Sequence, residues 1–135
     1  MKIDQDYLKR LLEAFEAADK PTTDIDELKD SGFDYDDDKF IFHFQLLADQ
    51  DLIRPEDGNF LGYVKSADGI VSWAAIPLRL TAKGHEFIEA LRNSEVWATI
   101  KSNFKDASLG SLLNISKQLL DGYVKRKISS LLDAD

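Results

Sequence analysis

Apolar residues recur at three- and four-residue spacing at the start of the chain. Tyr7, Leu8, Leu11, Leu12 and Phe15 form one stripe, which predicts a helix from about Asp4 to Ala18 with Asp4 as its N-cap. Lys20-Pro21-Thr22-Thr23 ends it, because proline disfavours helical geometry in the residue before it. A short second helix follows, capped by Asp24, with Ile25 and Leu28 facing inward and Ser31-Gly32 closing it. A third helix spans roughly Asp36 to Gln50, where Phe40, Ile41, Phe44, Leu47 and Ala48 fall within one arc of about 120°. The aspartates at its start suit the positive end of a helix dipole. After Leu52-Ile53, the run Arg54-Pro55-Glu56-Asp57-Gly58 signals a turn.

The period then changes. Phe60 to Ser66 and Ile70 to Leu80 are rich in β-branched and aromatic residues, and Ala67-Asp68-Gly69 between them predicts a hairpin. Pro77 lacks a backbone donor, so that end of the second strand is expected at an edge or bulge. Helical period returns at Thr81, a good N-cap, with Gly84, Phe87, Ile88 and Leu91 in a stripe up to Arg92. Asn93-Ser94 breaks that helix and Ser94 is expected to cap the next, whose apolar face is Val96, Trp97, Ile100 and Phe104. Trp97 is expected to be buried with Ile100 and Phe104. A last helix is predicted over Ser111 to Leu132, with Leu112, Leu113, Leu119, Leu120, Tyr123 and Leu131 on one side and a kink at Gly122.

These elements make an α+β, mostly α, chain. Three helices, a hairpin and a further helix are the parts of a winged helix-turn-helix, the hairpin being the wing. Residues 1–92 form the expected winged-helix-like core, and 93–135 a C-terminal helical extension packed on it, one domain altogether. A chain of 135 residues with 44% hydrophobic residues can bury such a core unaided. The chain has no cysteine, which removes disulfides, thiolate metal sites and cysteine nucleophiles. Neither a signal peptide at Met1–Asp6 nor an apolar run of roughly 18 residues is found, so a cytoplasmic protein without a membrane span is expected.

Charge changes the picture most. The formal net charge is −8, and it is placed unevenly. Between Asp24 and Gly58 twelve acids stand against three bases (Lys29, Lys39 and Arg54), a net of −9. A block this local repels phosphate and anionic lipid over one face.

Two local sequences resemble winged-helix regulators: Asp51-Leu52-Ile53 at the exit of the third helix, and Leu80-Thr81-Ala82-Lys83-Gly84 where the wing returns to helix. Thr81 caps that helix and Gly84 permits close approach to the wing. More specifically, the chain resembles an uncharacterised family of bacterial and phage proteins, a domain of unknown function. The resemblance rests on Phe42-His43-Phe44-Gln45-Leu46-Leu47, on Asp51-Leu52-Ile53, and on the block from Arg79 through Gly84-His85-Glu86-Phe87 to Arg92, followed by Trp97. It implies the fold and a bacterial, phage or mobile-element origin, but no activity. Asp51 stands where that pattern has glycine, which predicts strain in the turn.

Candidate chemistry is sparse. The two histidines, His43 and His85, have no second histidine or cysteine at ligand spacing, so no metal is expected. Asp34-Tyr35-Asp36-Asp37-Asp38 lacks the glycine and the glutamate of a calcium loop. No phosphate-binding glycine loop and no nucleophile arrangement is present, so neither an enzyme nor a cofactor nor a small-molecule substrate is inferred. The outer face of the third helix consists of Asp38, Phe42, Gln45, Leu46, Asp49 and Gln50. Phe42 and Leu46 among acids are either covered by the C-terminal helices or form an interface with a protein partner or a second copy. The expected interface is therefore Asp38, Phe42, Gln45, Leu46 and Asp49. The expected role is a non-enzymatic interaction module, such as a phage or prophage accessory factor. The alternative is a DNA-binding transcription regulator using Lys39, Gln45, Lys65, Arg79, Lys125, Arg126 and Lys127, a reading disfavoured by the acidic helix-turn-helix.

Overall fold

A computed structural model describes residues 1–134. Its elements run α1 (Gln5–Glu16), α2 (Ile25–Asp30), α3 (Asp38–Asp49), β1 (Ile53–Pro55), β2 (Tyr63–Lys65), β3 (Val71–Trp73), β4 (Leu78–Leu80), α4 (Ala82–Arg92), α5 (Ser94–Asn103) and α6 (Leu109–Leu132). The chain is α+β and mostly helical, in an order consistent with a winged helix-turn-helix. It divides into two compact units, one covering residues 1–85 and the other starting at Glu86.

In the first unit the helix starts follow the expected chemistry. The Asp4 side chain accepts the Tyr7 N–H at α1, and Asp24 accepts those of Asp26 and Glu27 at α2. Each satisfies backbone donors that the first helical turn leaves open. α3 begins two residues later than the sequence suggests, because Asp34 holds residues 34–37 in a turn: its carboxylate accepts the Asp36 N–H and its carbonyl the Asp37 N–H, and Asp37 itself makes no side-chain cap bond. The stripe on α1 is buried, as are Ile25 and Leu28 of α2 and Phe40, Phe44 and Leu47 of α3.

Thr23 pairs in a bridge with Leu78 of β4, and β4 pairs antiparallel with β1 in the register Ile53↔Leu80, Arg54↔Arg79, Pro55↔Leu78. The stretch from Ile70 to Leu80 is thus two strands rather than one. β3 pairs with β2 instead, in the register Tyr63↔Trp73, Val64↔Ser72, Lys65↔Val71. Between the two ladders the chain bulges over residues 56–62 and 74–77. Gly62 sits there at φ +98°, and a Cβ on it would lie 2.7 Å from the Ala74 carbonyl oxygen. Pro77 lies outside both ladders, and its carbonyl accepts the Glu56 N–H. The hairpin tip is closed by Ser66, whose carbonyl accepts the Gly69 N–H and whose N–H donates to Ile70, with Gly69 at φ +86°.

Residues 51–54 and 80–84 are tied by one side chain. The buried Thr81 hydroxyl donates to the Asp51 carbonyl at 2.6 Å and accepts the Gly84 N–H at 3.0 Å, while the Thr81 N–H donates to the Leu52 carbonyl. Gly84 has no room for a side chain: a Cβ would stand 2.2 Å from the Leu52 oxygen. Asp51 takes φ +57° to deliver its carbonyl to Thr81, the strain its position predicts.

His43 is fully enclosed and bridges two helices. Its Nδ1 lies 2.7 Å from the Lys39 carbonyl, which only accepts, so Nδ1 carries the proton. Nε2 is then free to accept the Asp4 N–H at 3.0 Å. Burial pushes its pKa below the ordinary histidine value, against the opposing pull of the Lys39 carbonyl. The Asp4 carboxylate is held at about 2 by the Lys39 ammonium and the Tyr7 N–H.

In the second unit, Asn93 rather than Ser94 caps α5, its side chain accepting the Glu95 and Val96 N–H groups. Val96 and Ile100 are buried, but Trp97 is only half-buried, with the Lys101 ammonium 5.5 Å from its ring centroid. α6 starts two residues earlier than expected because Ser108 caps it through the Ser111 N–H. It runs through Gly122 without a break, since a helix tolerates one glycine at a cost of about 1 kcal/mol. α5 packs on α6, where Leu109, Leu112 and Ser116 are buried, whereas Leu131 is exposed rather than part of that stripe.

Two stability measurements check this frame. Gly84→Ala is expected to cost about 3 kcal/mol in urea unfolding, since backbone and not a flexible side chain blocks the new methyl. Asp51→Gly is expected to stabilise by about 0.5–1 kcal/mol, relief of left-handed strain being offset in part by glycine's freedom in the unfolded chain. An unchanged midpoint for Gly84→Ala would contradict the close approach.

The His43 bridge sets a pH dependence. A histidine whose folded pKa lies below its unfolded value of about 6.5 stabilises fully above that value. The contribution is lost as pH falls from about 6.5 toward the folded pKa, by up to about 1.4 kcal/mol per pH unit. Asp4 adds a second loss between about pH 4 and about 2. Urea titrations from neutral pH downward should show the first slope in the natural protein and not in His43→Gln. An identical slope in both would show that His43 does not cause it.

Candidate functional site

In a winged helix, α3 and the hairpin are the elements that meet a ligand. The hairpin face bearing Tyr63 and Trp73 is turned onto α3. The Trp73 ring centroid lies 5.3 Å from that of Phe44, 5.8 Å from Phe40, 5.1 Å from Tyr63 and 6.0 Å from Tyr35. All four contacts are edge-on or tilted, as aromatic quadrupoles prefer. Trp73 Nε1 is buried without a hydrogen-bond partner, so packing alone holds the indole. The opposite hairpin face is solvated, with Val64 and the tip residue Ile70 exposed and Phe60 exposed nearby.

The residues expected to form the interface do not stand equally free. Asp38 and Asp49 are exposed, while Phe42, Gln45 and Leu46 are half-buried. The Gln45 amide donates to the Tyr63 hydroxyl at 3.5 Å, which directs it toward the hairpin. Lys39, the one base on α3, is engaged: its ammonium lies 2.7 Å from an Asp4 carboxylate oxygen and 5.0 Å from the Tyr7 ring centroid. Tyr7 is itself pushed up to about 12, by burial first and by Asp37 nearby.

Of the other bases, Lys65 is exposed on β2, and Arg79 on β4 donates to the Leu80 carbonyl at 3.2 Å. Arg54 and Arg79 face each other across β1 and β4 and line a cleft of about 370 Å³ that also contains Asp51 and Glu56. The carboxylates offset the two guanidiniums, so the cleft gives no net positive site. Lys125, Arg126 and Lys127 are exposed on α6, with Arg126 bound to Glu95 at 2.5 Å. Among the described residues no group of three or more His, Asp or Glu side chains converges as a metal site. No described helix is long and apolar enough to cross a membrane.

Two features escaped sequence reasoning. The Tyr63–Trp73 pair was readable, because a tip at Ala67-Asp68-Gly69 sets these two residues opposite each other on one face. The second is a free apolar stripe on α6. Val124, Ile128, Leu131 and Leu132 are 43%, 51%, 67% and 74% exposed, and at 100° per residue they share an arc of about 100°. The buried stripe through Leu109, Leu112 and Ser116 lies on a different side of the same helix. Counting apolar residues on α6 without separating the two arcs merges them.

The sequence pattern of a family described as hypothetical protein (DUF2513) matches residues 2–110. A protein of Haemophilus influenzae, named uncharacterized protein, is 24% identical over 129 residues, covering 96% of this chain and all of the relative. No solved structure matches. The pattern spans α1 to the start of α6, including the Thr81–Gly84 tie and the hairpin, and the chain belongs to this DUF2513 family.

Proposed function

We propose that the protein is a non-enzymatic interaction module on a winged-helix-like frame, acting in the cytoplasm through protein contacts rather than by reading DNA. The engagement of Lys39 carries this reading. DNA-binding helices neutralise phosphates and reach base edges with Lys, Arg, Asn or Gln. Here the only base on α3 is paired with Asp4, Gln45 is turned to Tyr63, and Asp38 and Asp49 line the exposed side. A partner for this face is a basic or apolar protein surface. The similarity to a protein of the bacterium Haemophilus influenzae fits a bacterial or prophage accessory factor that meets such a partner.

The competing reading, a DNA-binding regulator, draws on Lys65, Lys125 and Lys127, which are exposed. Those residues amount to fewer phosphate contacts than the roughly six to ten of strong binders. Gel-shift titration of duplex DNA at physiological salt is expected to give no complex below micromolar protein. Sub-micromolar binding lost on Lys39→Ala or Gln45→Ala would overturn the proposal in favour of the regulator. Binding lost only on charge reversal of Lys125, Arg126 and Lys127 would place DNA on α6 and overturn it as well.

A further inference from the structure

The free stripe on α6 has a defined chemical border. Lys125 and Lys127 lie on opposite sides of Val124, Ile128 and Leu131, while Arg126 points to Glu95 of α5. Gly122 leaves a shallow hollow beside Val124 and Ile128, a place for an apolar side chain from outside. Within α6 four bases (Lys117, Lys125, Arg126 and Lys127) stand against one acid, Asp121. The surface is apolar in the middle and positive at the rim, so its complement is apolar in the middle and negative at the rim.

The chain itself carries such a complement. Phe42 and Leu46 lie one turn apart on α3, half-buried, between the exposed carboxylates of Asp38 and Asp49, within the segment of net charge −9. We infer that the end of α6 docks on the α3 face of a second copy, and that the second copy returns the same contact. Two parallel facts favour this occupant over others. A nucleic acid or an anionic bilayer would pair with Lys125 and Lys127 but leave Phe42, Leu46, Asp38 and Asp49 without a complement, whereas a second copy supplies one to both faces. Pairing α6 with α6 would bring Lys125 and Lys127 of both copies together. This inference rests on the interaction-module reading and names its partner.

The test uses the full chain in sedimentation and light-scattering measurements across concentration at low and high salt. A dimer that weakens with salt is expected. Ile128→Asp should weaken it by about tenfold or more, with unchanged circular dichroism because the side chain is already exposed. The combined variants Asp38→Lys/Asp49→Lys and Lys125→Glu/Lys127→Glu should each be monomeric alone. Mixed together they should form a heterodimer, since both contacts are then oppositely charged again. A protein that stays monomeric into the sub-millimolar range overturns the inference while leaving the module reading in place. A dimer indifferent to either charge reversal, or reversals that do not restore association on mixing, overturns it too. DNA binding through Lys39 or Gln45 would instead remove the reading beneath it.

Discussion

One buried hydroxyl joins two stretches of the chain that lie 30 residues apart. Thr81 caps α4 and at the same time donates to the Asp51 carbonyl, so the exit of α3 and the entry of α4 share a buried polar group. Everything nearby is shaped to that contact. Asp51 accepts a left-handed backbone to aim its carbonyl, Gly84 gives up a side chain so that the Leu52 oxygen can approach, and β1 pairs with β4 on the same two stretches of chain. A buried hydroxyl is costly unless both its donor and acceptor capacities are used, and here both are. Strain at one residue and lost volume at another are the cost of that satisfaction.

The second structural commitment is the aromatic packing of the hairpin on α3. Winged-helix hairpins flank the third helix, and in this chain Tyr63 and Trp73 use the contact for burial. This packing turns Gln45 to Tyr63, while on another side of α3 His43 is engaged by the start of α1. Lys39 is held in the same way by Asp4. The surface that remains is acidic and modestly apolar, which underlies the proposed protein partner. The excess of acids is concentrated where the frame would otherwise present bases to a phosphate backbone.

Local chemistry made much of this readable in the sequence. Asp4, Asp24 and Thr81 announce helix starts because their side chains satisfy the nearest open donors, a contact within three residues. The stripes of α1 and α3 and the Asp68-Gly69 tip follow from simple periods. What was not readable depends on contacts between distant residues. The break between the two ladders includes a close approach of Gly62 to Ala74, residues twelve apart in the chain. The choice of Asn93 over Ser94 as a cap turns on where α5 begins, and two adjacent capping residues do not settle that. The candidate interface on α3 suffered similarly: Asp38 and Asp49 are free, but whether Phe42 and Leu46 are open depends on packing that periodicity does not encode. The free stripe on α6 was hidden by its neighbour, because both stripes use the same residue types at the same spacing.

The two tryptophans fall one in each compact unit, and their surroundings differ. Trp73 has its indole nitrogen sealed among rings with no acceptor, whereas Trp97 is half in solvent beside an ammonium group. Indole emission shifts to shorter wavelength in an apolar, unbonded setting and to longer wavelength near water. The chain thus carries a separate intrinsic reporter in each half. Replacing one tryptophan with phenylalanine leaves a fluorescence signal that follows the opening of the other half alone, so that the order in which the halves lose their structure becomes directly visible.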